Sequence, residues 1–226
     1  MTAARILRRD DPEAVRLLAE RWVVAGESWG ARFDARAEDL PRLDALAESI
    51  PEGHYICVLT RDDVADIVAL DEATREDYPA GDAVFHDAVD LQGARDLVER
   101  GAVHGVRTAS GELVAMTATH ATGALVETDF TAVHPSHRRR GVAVAVKAAS
   151  VAAGVRAGHE LFGTGGAAVN AGSLAMNRAV GYIVTERWVT LVPPGEGLAQ
   201  RNQATTAPAR IAVPTRAQTR APVDRA

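Results

Sequence analysis

The sequence predicts an α/β (α+β) protein in which a mixed sheet is flanked by helices. Three observations lead to this fold class. Short apolar segments between tight connections give three consecutive antiparallel strand candidates within residues 103–133. A long helix rich in alanine and valine follows at 141–157. The remaining segments alternate strand, helix and strand, which is typical of a meander followed by a crossover helix.

The individual elements are predicted from local patterns. Residues 55–60, Tyr-Ile-Cys-Val-Leu-Thr, form a short apolar run typical of a buried strand. Asp62 suits a helix N-cap because its carboxylate can accept from free amide groups, and Gly101 ends a second helix. The predicted order is a strand at 55–60, a helix from Asp62, a helix up to Gly101, strands at 103–109, 112–121 and 124–133, a helix at 141–157, a strand at 159–164, a helix at 173–180 and a strand at 182–192.

Composition narrows the function classes. The 226 residues are 47% apolar and 24% charged, which is ordinary for one well-buried domain or two small ones. The chain lacks an apolar run of about 18 residues and a secretory core, so we expect a cytoplasmic protein without a membrane partner. The net charge of −5 argues against nucleic-acid binding. Cys57 is the single cysteine and the seven histidines are scattered, so we expect neither a disulfide nor a metal site.

The chain divides into three parts. Residues 54–192 hold the predicted elements and form the candidate domain. Residues 193–226 contain half of the ten prolines and no aromatic residue, so we expect a disordered tail, either solvated or a weak interaction segment. In residues 1–53, Ile6–Leu18 aligns with Val58–Leu70 at an offset of 52. This segment is either the remnant of a duplicated unit or a convergent pattern of strand, cap and helix.

Three consecutive arginines, Arg138–Arg140, stand where a strand gives way to a helix. Pro135 ends the strand and the helix starts near Gly141, so the arginines lie beside unpaired amide groups and the positive end of the helix dipole. Gly141 and Ala143 leave room for a ligand to approach the backbone. Guanidinium groups suit phosphate oxygens. The segment therefore predicts a bound polyphosphate, without a Walker loop or a dinucleotide-binding glycine fingerprint.

This turn carries a family resemblance. Arg138-x-x-Gly141-x-Ala143 resembles the R/Q-x-x-G-x-G/A signature of the GNAT N-acetyltransferases, which bind acyl-CoA. Further along, Asn170–Tyr182 is similar to the family's N-x-x-M-x-x-x-N-x-x-L-G-F segment. The order of the predicted elements is also the family's order.

The resemblance covers residues 54–192 and implies the GNAT fold, with a mixed, mostly antiparallel central sheet. It is nearest to the second unit of bacterial members with two tandem units, so residues 1–53 would be what is left of a truncated first unit. It implies an acyl-CoA-dependent N-acetyltransferase that moves an acetyl group from acetyl-CoA to a primary amine by direct attack, without a metal. The strands on either side of the long helix would splay to admit the cofactor, which is expected to contact Val133, Arg138, Arg139, Arg140, Gly141, Val142, Ala143, Asn170 and Asn177.

The strand before the turn supplies the candidate catalytic groups. Simple alternation puts Glu127, Asp129 and Thr131 on one face, and Thr128 and Phe130 on the other. Two neighbouring carboxylates raise one pKa, which suits a base that takes a proton from an amine. Glu127 matches the position of the family's glutamate base, ahead of Asp129. The alternative is an exposed sheet face on which acidic residues are common.

The sequence departs from the family at two positions, Asn177 and Gly166. Asn177 stands where many members have a tyrosine that protonates the departing thiolate. Gly166 replaces a frequent asparagine, and Asn170 is either a cofactor contact or a helix cap. The glycines of 163–166 favour a strand bulge over a phosphate loop. The alternative function is therefore a catalytically weak acyl-CoA-binding module or sensor.

The acceptor is expected to be a small-molecule amine whose identity is set by residues 71–91. The acidic stretch 76–87 within them favours a cationic amine, although solvated loops are often acidic too. The sequence leaves a monomer and a homodimer equally open.

Overall fold

The computed structural model describes residues 4–77 and 86–194. Residues 195–226 of the predicted tail and residues 78–85 of the predicted acceptor segment lie outside these residues. In chain order the strands are β1 (Arg5–Arg8), β2 (Val23–Asp34), β3 (His54–Leu59), β4 (Ala102–Thr108), β5 (Leu113–Thr122), β6 (Leu125–Val133), β7 (Leu161–Ala167) and β8 (Ile183–Val192). The helices are α1 (Pro12–Ala19), α2 (Leu40–Glu48), α3 (Val64–Thr74), α4 (Leu91–Arg100), α5 (Val142–Arg156) and α6 (Ala171–Val180).

The strands form one eight-stranded sheet in the order β1-β8-β2-β7-β6-β5-β4-β3. Neighbouring strands run antiparallel except β6 and β7, which are parallel and are joined by the crossover helix α5. The predicted mixed, mostly antiparallel sheet is confirmed. In the described part of the chain, no helix is long and apolar enough to cross a membrane.

Residues 1–53 contribute two strands to this same sheet. Strand β2 lies between β7 and β8, and β8 in turn lies between β1 and β2. The strand–helix–strand segments β1-α1-β2 and β7-α6-β8 therefore interleave. The sequence repeat at an offset of 52 residues relates different elements. It aligns β1 and α1 with β3 and α3, and β3 lies at the opposite edge of the sheet from β1. The origin of residues 1–53 in a truncated unit stays a prediction.

Helices cover both faces of the sheet. On one face α2, α5 and α6 pack over β2, β6 and β7, in a cluster that includes Leu43, Val151 and Phe162. On the other face α3 and α4 pack over β4, β5 and β6, in a cluster that includes Ile67 and Met116. Helix α5 approaches the sheet closely because its residues are small: a Cβ at Gly154 would lie 2.6 Å from the Phe162 ring.

We expect the Leu43→Ala variant to lose about 2–5 kcal/mol of unfolding free energy, since a fully buried leucine leaves a cavity when it is truncated. Urea unfolding followed by circular dichroism measures the loss. Leu18→Ala is the matched control, because Leu18 is 41% exposed and its truncation should change stability by less than about 0.5 kcal/mol. Equal losses in the two variants would contradict the packing of residues 1–53 into the main core.

Candidate functional site

The two parallel strands of the sheet separate to form a fork. Strands β6 and β7 pair only through Leu125–Glu127 and Leu161–Gly163. Beyond these three pairs the strands diverge, as the resemblance implied. The fork opens into a cleft of about 2580 Å³ that also reaches the start of α5, strands β2 and β8, and the start of α6.

The arginine turn lies at the mouth of this fork. Gly141 is the N-cap of α5 with φ +81°, and no side chain caps the helix, so its first-turn amide groups have no partner within the helix. Arg139 also has a positive φ of +58°, which is uncommon for a residue with a Cβ. Both residues line the cleft together with Val142 and Ala143. The turn thus presents amide donors and positive charge to one opening, an arrangement suited to an anion.

The arginines of the turn differ in position. Arg138 lines the cleft, and its Nε donates to the carbonyl oxygen of Val133 at 3.1 Å, which ties the turn back to the end of β6. Val133 itself lines the cleft. Arg140 belongs to the same turn but is not one of the lining residues. Its contact with a ligand stays a prediction.

The two asparagines of the resemblance have different partners. Asn170 is the N-cap of α6, where its Oδ1 accepts from the Ser173 amide at 2.9 Å, so the helix-cap alternative is observed. Asn177 is 2% exposed, and its Nδ2 donates to the Ser173 carbonyl at 2.9 Å. That bond fixes the orientation of the amide and leaves Oδ1 buried without a hydrogen-bond partner. Asn177 is also one of the residues that line the cleft.

Glu127 occupies the last paired position of β6, at the base of the fork. Its Oε1 is buried without a hydrogen bond, although Arg32 Nη2 lies 3.6 Å away. The carboxylate fits because Gly163 stands opposite: a Cβ there would lie 2.3 Å from Glu127 Oε2. Burial raises the pKa of this carboxyl above its ordinary value, and Arg32 and His120 oppose the rise. A partly buried carboxylate with a raised pKa in a cleft is suited to accepting a proton.

Asp129 lies on the same face but is already in contact with two basic side chains. Its Oδ1 is 2.9 Å from Arg100 Nη2 and 3.0 Å from His120 Nδ1. The rise in the pKa of Glu127 comes mainly from burial, and the anion that adds to it is Glu186. The prediction that two neighbouring carboxylates on β6 raise the pKa of Glu127 is therefore wrong. The main cause of the raised pKa is desolvation.

The predicted alternation of β6 is wrong at two positions. Thr131 bonds Thr117 Oγ1 at 2.9 Å, on the α5 face, whereas Phe130 packs into the cluster under α3 and α4. The cause is an irregularity in the register with β5 between Ala118 and Thr119. The extra residue in β6 breaks the alternation. Glu127 and Asp129 nevertheless lie on the same face of β6, because the irregular register is next to these two residues.

The sequence analysis missed the groups that β2 and β8 bring to the cleft. Arg32 and Trp29 of β2 line it, as do Glu186 and Trp188 of β8. Residues 1–53 were placed outside the domain, so nothing in the local sequence connected Arg32 with Glu127.

Lys147 was also missed, although it is a lysine in an otherwise apolar part of α5. Its side chain is 1% exposed. Nζ donates to Thr128 Oγ1 and lies 5.1 Å from the centre of the Tyr182 ring. Burial lowers the pKa of this lysine to about 7.

The acceptor segment is partly described. Asp71 is fully buried; it accepts from the Val89 amide at 2.9 Å and pairs with His86 Nε2. These contacts attach the residues before α4 to α3, where they line the cleft. Within residues 4–77 and 86–194, no group of three or more histidine, cysteine or acidic side chains could hold a metal ion.

The chain matches no protein-family model and no curated protein. Solved structures do resemble it. A GCN5-related N-acetyltransferase from Sphaerobacter thermophilus superposes with a TM-score of 0.64 at 18% identity, over 83% of this chain and 58% of that one. A tandem GNAT protein from the clavulanic acid biosynthesis pathway gives 0.59 at 19% identity, over 83% of this chain and 62% of that one.

A third solved structure is the acetyl-CoA complex of yncA from Salmonella typhimurium, with a TM-score of 0.51 at 16% identity, over 61% of this chain and 91% of that one. This chain therefore spans less than two thirds of the length of the first two proteins and most of the length of the third. The described residues have the fold of the GCN5-related N-acetyltransferases.

Proposed function

We propose that the protein is an acyl-CoA-dependent N-acetyltransferase, which moves an acetyl group from acetyl-CoA to the primary amine of a small acceptor. The observation that carries this proposal is the fork between β6 and β7. A partly buried carboxylate with a raised pKa, Glu127, lies at its base, and the uncapped start of α5 lies at its mouth. The same opening thus combines a base for the acceptor amine with a site for the polyphosphate of the acyl donor. The proposed reaction requires both.

The residues at the fork fit acetyl-CoA as a substrate. The first-turn amide groups of α5 and the Arg139 guanidinium would hold its pyrophosphate. The backbone of Val133 would bind the pantetheine arm. The buried Asn177 Oδ1, which has no hydrogen-bond partner, is an acceptor suited to an amide N–H of that arm. Supplying such a partner removes the free-energy cost of an unsatisfied buried oxygen.

Glu127 would act as the general base. An alkyl amine is mostly protonated near neutral pH and must lose a proton before it can attack a thioester. The raised pKa of Glu127 makes it a stronger base than an exposed glutamate, while Arg32 favours the ionised form. In direct attack, the N–C bond forms and the C–S bond breaks, without a covalent adduct of the enzyme.

The charges of the cleft favour a cationic acceptor. Away from the arginine turn, the described lining carries two guanidinium groups, Arg32 and Arg100, against five carboxylates: Asp87, Asp96, Glu127, Asp129 and Glu186. A negative cleft attracts cations and rejects anions.

We expect Glu127→Gln to lower turnover by about 10²- to 10⁴-fold, because the amide cannot accept the proton of the amine. The assay is release of CoA thiol from acetyl-CoA over a panel of primary amines, with acetyl-CoA affinity measured calorimetrically. Wild-type activity should rise with pH through the raised pKa of Glu127, since only the carboxylate is a base, and the variant should lose this rise. Binding of acetyl-CoA without turnover of any amine by the wild type would support an acyl-CoA-binding module instead.

The arginine turn allows a matched pair of variants. Arg139→Ala should weaken acetyl-CoA binding about tenfold, as expected for a charge-assisted contact with phosphate. Arg140→Ala removes the same charge from the same turn but from outside the cleft lining, so its affinity should fall less. Calorimetric titration measures both. Equal effects would mean that only the net charge of the turn matters.

The proposed position of the Glu127 carboxylate requires that residue 163 has no side chain. We expect Gly163→Ala to displace the Glu127 carboxylate, because the new methyl group would lie 2.3 Å from Oε2, and to lower turnover more than acetyl-CoA affinity. Gly26→Ala is the control, since a Cβ at this other strand glycine meets nothing closer than Thr190 Oγ1 at 4.0 Å. The CoA-release assay compares the two variants. Full activity in Gly163→Ala would show that the position of Glu127 does not limit the reaction.

A further inference from the structure

Lys147 is a charged group of the interior that the reaction described so far does not use. Desolvation makes a buried ammonium group costly, and such groups usually neutralise or serve a function. Lys147 is 1% exposed, in a stretch of α5 whose other side chains are small and mostly apolar. An apolar side chain of similar length would satisfy the packing alone.

The ammonium group of Lys147 has two described partners. It donates to Thr128 Oγ1 and lies over the Tyr182 ring, 5.1 Å from its centre, at a distance where the aromatic face attracts a cation. Burial lowers the pKa of Lys147 to about 7, and the negative charges of Glu127 and Asp129 oppose the shift. The lysine can therefore exchange a proton near neutral pH.

Thr128 connects this buried cation with the cleft. It is the first residue of β6 after the last pair with β7, so it stands where the fork opens, and it lines the cleft. Its side chain points toward α5, while that of its neighbour Glu127 points to the opposite face. The Glu127 carboxylate thus lies on one side of the opening. The Thr128 hydroxyl, which is bonded to the Lys147 ammonium group, lies on the other side.

The position at which the resemblance implies a proton donor for the departing sulfur does not supply one here. Asn177 is an amide whose Nδ2 is held by the Ser173 carbonyl, so it cannot act as an acid. Tyr182 lies, like Lys147, next to Thr128 and outside the cleft lining, but burial raises the pKa of its hydroxyl, which makes it a weaker acid than Lys147.

We propose that Lys147, acting through the hydroxyl of Thr128, supplies the proton that the CoA sulfur takes up as the acetyl group leaves. This inference rests on the proposed acetyltransferase function. As the C–S bond breaks, its electron pair stays on sulfur. Thr128 gives its hydroxyl proton to the sulfur and takes one from Lys147, which becomes a neutral amine. Glu127 releases the proton of the acceptor amine to water, and Lys147 regains one from water through Thr128 after the products leave.

The test uses CoA itself and needs no acceptor. The ultraviolet absorbance of the thiolate is titrated against pH in the complex of the whole protein with CoA, and the complex with desulfo-CoA gives the background. The reference is the thiol of free CoA, titrated in the same way; the ordinary cysteine thiol has a pKa of about 8.5. We expect the bound thiol to ionise about one pH unit or more lower, because a nearby ammonium group stabilises the thiolate.

Three variants identify the source of this shift. Lys147→Met and Thr128→Val should abolish it, whereas Thr128→Ser, which keeps the hydroxyl, should retain it. Lys147→Met fills the same volume with an apolar chain, and the Val and Ser variants form a matched pair at one position. Thermal unfolding verifies that each variant is folded; should Lys147→Met fail to fold, the pair at Thr128 decides.

The possible results separate the two proposals. A shift that is lost in Lys147→Met and Thr128→Val and kept in Thr128→Ser supports the role of Lys147. An unshifted thiol in the wild type, or a shift that survives in Lys147→Met, overturns that role and leaves the acetyltransferase function standing. If neither CoA nor desulfo-CoA binds the wild type, the proposed function fails, and the role of Lys147 fails with it.

Discussion

The candidate site depends on the early end of the pairing between β6 and β7. After Glu127 and Gly163 the two parallel strands lose their mutual hydrogen bonds, so the backbone groups beyond this point need other partners. Neighbouring elements keep the fork open: α5 packs against one face, and β7 is held on its far side by β2. A sheet that stayed paired along both strands would have no cleft, and Glu127 would have no access to a ligand.

The charged residues around the fork affect one another's pKa values. Glu127 is buried near Arg32 on one face of β6, and Lys147 is buried behind the neighbouring Thr128 on the other. Burial raises the pKa of the acid and lowers that of the base, so both move toward neutrality, while their mutual attraction limits each shift. The pKa values of the two groups therefore lie closer together than those of an exposed glutamate and an exposed lysine.

The features that could be predicted from the sequence are those that neighbouring residues determine. The fold class and the turn at Arg138–Gly141 follow from nearby residues, since a strand end, small residues and a helix start are short-range features. The faces of Thr131 and Phe130 were predicted wrongly because the irregular register is set by pairing with β5. The place of Arg32 beside Glu127 depends on pairing across most of the chain. Lys147 could have been recognised as a cation within an apolar helix.

The interleaving of β1-α1-β2 with β7-α6-β8 has a consequence for how the molecule folds. Ser28 pairs with Ala167 and Val24 with Leu191, so β2 is synthesised long before either of its neighbours exists. Contacts of such sequence separation carry a large loop-closure cost and slow folding. On the ribosome β2 must wait with both edges unpaired, a state prone to aggregation or to capture by a chaperone. The strand that brings Arg32 to the cleft is thus made before both of its neighbours and is enclosed only after β8 has been made.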